Sequence, residues 1–377
     1  VRDYLILQAK LAYAQSMGDK PVKKKIEELN RLADIIKNKP TAMEYLQAYN
    51  TWQSKAGEIY QIIQNSMAEG MSIKAVEKFT ECLGAEIPKD RIYRDEPMRD
   101  HTTFAVGGPA DVLVLPHSVK EMSLAIRAAR SLELPVTVLG GGSNVLVLDG
   151  GIRGVVIQLN EMKRTLSCHG NRIHAASGYM LAGVCEFAYE NGLTGAEFAC
   201  GIPGTLGGAV FMNAGAYGGE MSQIVSRVRT VNGHGGVTTY EKGEFGFSYR
   251  KSIFQKLQEY VVDVELSLQY GDKTEIRATM DDLTERRTSK QPLEMHSAGS
   301  TFKRPPGYFA GTLIDQTGLK GLSHGDAEVS EKHAGFVVNR GHATAADVLA
   351  VIREVQRRVE EAHGVTLETE VRIMGTP

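Results

Sequence analysis

The run Gly201-Ile-Pro-Gly-Thr-Leu-Gly-Gly208, continuing as Ala209-Val-Phe-Met-Asn-Ala-Gly-Ala-Tyr-Gly-Gly-Glu220, is too glycine-rich and too apolar for an ordinary linker. Without a β-carbon, backbone N–H groups can come up to a ligand phosphate and form an anion-binding nest, or the chain can take positive φ. A phosphate-bearing cofactor is the natural candidate; the bland alternative is a packed core turn where two backbones touch. A second cluster, Gly140-Gly-Gly-Ser-Asn144, lies between the apolar runs Val136–Leu139 and Val145–Leu148, so strand, glycine loop, strand is expected. Neither cluster continues as Gly-Lys-Ser/Thr, and neither has the spaced glycines of the dinucleotide fingerprint. A cofactor held here sits outside a Rossmann fold.

With 377 residues the chain has length for two or three domains. Its 43 basic and 45 acidic residues, net charge -2, leave no electrostatic footprint for nucleic acid or an anionic membrane. Cys82, Cys168, Cys185 and Cys200 are scattered without a Cys-x-x-Cys pair, and neither a signal-peptide pattern nor a long apolar span occurs. The expectation is a reduced, cytoplasmic, soluble protein. The histidines lack metal-ligand spacing, so no metal is implied. Val1 in place of Met carries the expectation that the native start lies upstream.

The elements that must position these loops are legible in outline. Residues 1–70 are nearly free of glycine and rich in Lys, Glu, Ala, Leu and Ile, which is helical composition. Ile26, Leu29, Leu32, Ile35 and Ile36 recur at helical spacing, Lys37-Asn-Lys-Pro40 breaks the run, and Tyr45, Leu46, Tyr49, Trp52 and Ile59 resume it. Two helices packed as a hairpin would bury these stripes, as a docking or oligomerising element. Further on, Ser118 with Glu121 makes a capping box for a helix to about Leu132, and a helix over Leu181–Glu190 stops at Asn191-Gly192. Val225–Val231 and Tyr260–Leu268 alternate as half-buried strands, and a charged helix follows at about Lys273–Lys290. Thr344 and Asp347 box the start of a helix whose Val348, Val351, Ile352, Val355 and Val359 line one face and which Gly364 ends. A last strand is expected over Val365–Ile373, with Glu368, Glu370 and Arg372 sharing a face.

His101-Thr-Thr-Phe104, the two glycine clusters, Tyr249-Arg-Lys-Ser252, Gly299-Ser-Thr-Phe-Lys303 and Leu367-Glu-Thr-Glu-Val-Arg372, in that order from about residue 90 onward, resemble the UDP-N-acetylenolpyruvoylglucosamine reductase (MurB) family. The resemblance implies an α+β chain: two subdomains clasping FAD in the manner of the vanillyl-alcohol-oxidase (PCMH) type, then a C-terminal α/β substrate domain. The layout implied is a helical hairpin module at 1–70, a linker at 71–95, FAD-binding subdomains at 96–160 and 161–270, and a substrate-binding domain at 271–377. Residues 26–63 also resemble the helical YlbF/YmcA-type proteins, which implies an interaction module lacking its first helix, with a protein partner or self-association through 1–70. The implied reaction is NADPH-dependent reduction of a UDP-sugar enolpyruvyl ether through bound FAD, in peptidoglycan precursor synthesis. Two rivals stand beside it: another FAD-dependent oxidase on the same scaffold, and a helical interaction protein with a passive reductase-like scaffold.

Residue by residue, the resemblance places Ser300 as the proton donor, with Arg250 and Glu370 near the carboxylate into which negative charge delocalises. Arg offers a planar, permanent fork, while Glu370 must be protonated or hydrogen-bonded to help an anion form. It puts Gly140, Gly141, Gly142, Ser143, Asn144, Gly201, Pro203, Gly204, Gly207 and Gly208 on FAD, and Tyr217, Tyr249, Lys303 and Gln316 on the substrate. Read without it, Ser300 is a cap beside Gly299, Arg250 a surface strand residue paired with an acid, and Glu370 a partner of Arg372. Spacing alone does not separate Glu370 from Glu368.

Overall fold

The computed structural model describes residues 1–16, 23–163 and 165–377, in two compact units, Val1–Ile73 and Lys74–Pro377. In the first unit helix α1 (Arg2–Ser16) lies against α2 (Lys23–Lys37), and α3 (Pro40–Leu83) begins at the proline that ends the α2 pattern. Three helices therefore stand where two were expected, and the segment foreseen as linker from residue 71 stays helical to Leu83. The stripes are not buried as a hairpin would bury them. Ile36 is buried, but Ile26, Ile35, Tyr45 and Trp52 are exposed, because so small a unit has too much surface for its volume. The side chain of Ile59 lies outside the described residues.

The second unit is α+β, as expected, and is built in three parts. Strands β1 (Ile92–Pro97), β2 (Pro109–Val114), β3 (Val136–Leu139) and β5 (Ile152–Gln158) form a sheet of order β1-β2-β5-β3, parallel except for β1. Strand β4 (Val145–Val147) follows the first glycine loop. Helix α4 (Val119–Ser131) starts where the sequence says it must: the Ser118 hydroxyl accepts the Glu121 N–H at 3.2 Å. Its Met122, Ile126 and Ala129 pack with Val112, Val155 and Ile157, and with Val76, Phe79 and Leu83 from the end of α3, in one core.

The second part is a five-stranded antiparallel sheet of β6 (Leu166–His169), β7 (Arg172–Ala176) and the strands Glu259–Ser267, Val225–Asn232 and Val237–Glu241. Helices α5 (Leu181–Glu190) and α6 (Leu206–Met212) belong to its core. The third part has the short helix Ala310–Gln316, a small antiparallel sheet and the helix Ala345–His363, whose capping box, buried stripe and left-handed Gly364 all form as read from the sequence.

The chain end differs from expectation. Only Arg372–Met374 is strand, paired parallel to β4, because β4 itself is three residues long. Before it, Lys303 N–H donates to Glu368 O and Glu370 N–H to Thr301 O, each at 2.8 Å. The C-terminal segment thus ties the third part to the first and fixes Glu370 beside Ser300.

Candidate active site

Arg250 sits in a tight turn closed by reciprocal Ser248–Lys251 backbone hydrogen bonds of 3.0 Å, with φ of 56°. A non-glycine residue there is strained by roughly 1–2 kcal/mol and persists only where its surroundings over-determine it. Here they do. The Gln255 amide donates to Arg250 O at 3.0 Å and to Phe211 O at 2.9 Å, and Asn213 Nδ2 donates to Ser248 O at 3.1 Å. Asn213 is fully buried, ends α6 in the left-handed conformation, and accepts the Ser222 N–H at 2.9 Å. The end of the glycine-rich stretch is therefore the brace that aims Arg250.

The guanidinium donates through Nε to Glu370 Oε1 at 2.6 Å and through Nη2 to Gly215 O at 3.2 Å. Arg372, the sequence-local candidate for Glu370, instead lays its guanidinium over Phe211, and Glu368 pairs with Lys303. Burial raises the Glu370 pKa above the ordinary carboxylate range, and Arg250, then Lys303, offset only part of that rise. A carboxyl so placed keeps a proton more readily than an exposed one while remaining hydrogen-bonded to a cation. Ser300 is exposed, caps no helix, and its hydroxyl has no hydrogen-bond partner among the described residues. Ser300, Arg250 and Glu370 share one cleft of ≈ 430 Å³ with Tyr249, Arg304 and His333.

The two glycine loops meet face to face. Gly140–Asn144 joins β3 to β4, and Gly201, Pro203 and Gly204 lead into α6, whose first turn holds Gly207 and Gly208. The Ser143 hydroxyl donates to Pro203 O at 3.1 Å, and a Cβ on Gly140 would lie 2.5 Å from Thr205 Oγ1. Gly142 and Gly204 have φ of 65° and 106°; a side chain on Gly142 would strike His101 O at 2.1 Å. Behind the loop, His101 Nδ1 pairs with Gln158 Oε1 at 2.8 Å, and Gln158 Nε2 donates to Gly140 O at 3.3 Å. Asn144 Nδ2 donates to the backbone carbonyl of Glu370 at 3.3 Å, linking the loop to the segment that carries Glu370.

Residues 291–374 match the family described as UDP-N-acetylenolpyruvoylglucosamine reductase, C-terminal domain, and residues 110–241 match the FAD binding domain. A relative from Clostridium perfringens, named UDP-N-acetylenolpyruvoylglucosamine reductase, is 49% identical over 298 residues, 79% of this chain and 98% of its own. One of the same name from Geobacillus thermodenitrificans is 49% identical over 287 residues, 76% of this chain and 94% of its own. The chain belongs to the UDP-N-acetylenolpyruvoylglucosamine reductase family. The crystal structure of the Thermus caldophilus member (MurB) superposes with a TM-score of 0.66 at 39% identity, over 76% of this chain and 99% of that one. Residues 1–68 match a second family, described as control of competence regulator ComK, YlbF/YmcA.

For a reductase of this family the loops form a cradle that fits a dinucleotide. Ser177 Oγ and Asn160 Oδ1 are buried with no partner among the described residues. Ser177 lies against Gly207, and Leu159, next to Asn160, donates its N–H to Leu139 O at 2.8 Å beside Gly140. Orphaned buried acceptors and donors of this kind call for a polar ligand. Not all the glycine serves that end: a Cβ on Gly219 would lie 2.4 Å from the Phe198 ring, which is packing.

Of the residues expected on the substrate, Tyr249 lines the cleft and its hydroxyl accepts the Arg304 N–H at 3.2 Å. Lys303 flanks it, paired to Glu368. Tyr217, in the turn after Gly215-Ala216, and Gln316, at the end of the helix Ala310–Gln316, are both exposed and outside the lining. Sequence reasoning missed Asp315, Lys320, Lys332 and His333 in the cleft wall. Only Asn213 carried a usable signal, an Asn directly after an apolar helical run and before Ala-Gly. His333 Nδ1 accepts the Gly335 N–H at 3.1 Å, so the neutral ring bears its proton on Nε2; burial holds its pKa below the ordinary value.

Proposed function

We propose that this chain reduces UDP-N-acetylenolpyruvoylglucosamine to UDP-N-acetylmuramate for peptidoglycan synthesis, with NADPH as the electron source and the cytoplasm as the compartment. The observation that carries the reading is the Arg250–Glu370 pair, held at 2.6 Å in the cleft that also presents the unengaged Ser300 hydroxyl. FAD, cradled by Gly140–Asn144 and Gly201–Gly208, would supply hydride to the enol-ether double bond. Arg250 presents its remaining donors to the substrate carboxylate, where charge develops once hydride has been added. Glu370 orients that guanidinium, and burial, which raises its pKa, makes it hold a proton more readily than an exposed carboxyl. Ser300 delivers a proton to carbon, a step open to a weak acid because the acceptor is by then carbanion-like. Tyr249, Lys303, Tyr217 and Gln316 are assigned to the nucleotide portion of the substrate.

Residues 1–70 are assigned to docking a protein partner or a second copy, which the YlbF/YmcA match and the exposed Ile26, Tyr45 and Trp52 support. Among the described residues no helix is long and apolar enough to cross a membrane.

An anaerobic visible spectrum tests the reaction. NADPH should bleach the flavin absorbance, and the enolpyruvyl substrate should restore it. A bleached flavin that only oxygen restores would assign an oxidase instead, and a protein that takes up no FAD would leave a passive scaffold.

A further inference from the structure

Arg287, near the end of the helix Lys273–Lys290, is only 8% exposed, yet no carboxylate pairs with it among the described residues. The other buried cation of the site, Arg250, has Glu370, and Arg91 has Glu121 at 2.7 Å. For Arg287 the sole side-chain acceptor among the described residues is Gln291 Oε1, at a long 3.4 Å. Its guanidinium lies 5.8 Å from the centre of the Tyr217 ring, and its Cδ and Nε would sit 2.8 Å from a Cβ on Gly201. The ionisable neighbours acting on it are Tyr217 and Cys200, a phenol and a thiol, and burial lowers its pKa.

A largely buried cation without a counter-ion carries a desolvation penalty, which is retained where a ligand supplies the missing charge. Stabilising the helix C-terminus does not explain it, since Lys290 is closer to that end and stays exposed to water. The position is informative. Arg287 closes the back of the Gly201–Gly204 loop, and the turn bearing Tyr217 also contains Gly215, whose carbonyl holds Arg250. It thus lies against Gly201 of the glycine-rich loop and the Tyr217 turn, whose Gly215 is bonded to Arg250.

Resting on the functional reading above, we propose that Arg287 is an anion-binding residue for a nucleoside diphosphate, its planar fork pairing with phosphate oxygens. FAD and the UDP-sugar both carry that group, and the experiment separates them.

Arg287→Met and Arg287→Lys are prepared in the full chain. FAD affinity is measured by flavin-fluorescence titration of stripped protein, and UDP affinity by calorimetry on FAD-loaded protein. Loss of one charge-assisted pair predicts weakening of about 10- to 100-fold in Arg287→Met, with partial recovery in Arg287→Lys. Weaker FAD binding assigns the residue to the cofactor, whereas weaker UDP binding with FAD unchanged assigns it to the substrate. If wild type binds both and Arg287→Met binds both within twofold, the cation is structural and the proposal falls alone. Wild type binding neither would overturn the functional reading with it. Far-UV circular dichroism checks folding, and Arg287→Gln is read the same way should the Met variant fail to fold.

Discussion

Removing the Ser300 hydroxyl should separate the two halves of the reaction. In Ser300→Ala, stopped-flow reduction of the flavin by NADPH should match wild type, while reoxidation by the enolpyruvyl substrate slows by about 10²- to 10⁴-fold, the usual range for a positioned acid. Equal slowing of both halves would mean that the hydroxyl shapes the site rather than donating a proton. Glu370 makes a prediction whose sign follows from its burial. Its pKa is raised from the ordinary 4.5, so its favourable contribution to stability is complete below pH 4.5 and is lost as pH rises through the folded value. Glu370→Gln is neutral throughout. Its melting temperature should therefore gain on wild type as pH climbs past that range, and kcat should lose the alkaline limb that ionisation of Glu370 gives the wild-type profile. An unchanged limb would assign it to another group.

The elements around Arg250 make the strained turn affordable, and Asn213 is where that support can be weighed. Asn213→Gly keeps the left-handed backbone but leaves the half-buried Ser222 N–H without its acceptor and Ser248 O with only the Lys251 N–H, at a cost of about 1–3 kcal/mol. Asn213→Ala should cost roughly 1 kcal/mol more, since alanine resists positive φ. Urea denaturation would order the three proteins, and equal midpoints for Gly and wild type would deny the brace. What could be read from sequence divides along the same line. Ser118–Glu121, Thr344–Asp347 and Gly364 are local signals acting over one helical turn, and they mark their helices correctly. Arg250 and Glu370 stand 120 residues apart, and spacing offered Arg372 as an equally good partner. Only the C-terminal tie to Thr301 and Lys303 settles which acid faces the cleft. For Gln316 and Tyr217 the motif alone supports a place at the substrate, since both are exposed and outside the cleft lining.

At the scale of the whole chain, every residue lining the cleft and both glycine loops belong to Lys74–Pro377. A chain lacking residues 1–73 should therefore keep its flavin and a kcat/KM close to that of the full chain. If flavin stays and turnover vanishes, the first unit takes part in catalysis. The position of the cut is itself a prediction, because the boundary falls inside α3. Residues 74–83 carry Val76, Phe79 and Leu83 into the core of Met122, Ile126 and Val155, and Phe79 and Leu83 are completely buried. Emptying even one such site costs about 2–5 kcal/mol, against a domain stability of roughly 5–15 kcal/mol. A cut after residue 84 should thus lower the melting temperature by many degrees and yield poorly folded protein, whereas the cut after residue 73 should leave the melting temperature within a few degrees. Indistinguishable melting curves for the two truncations would show that this last stretch of α3 is a tether rather than a part of the reductase core.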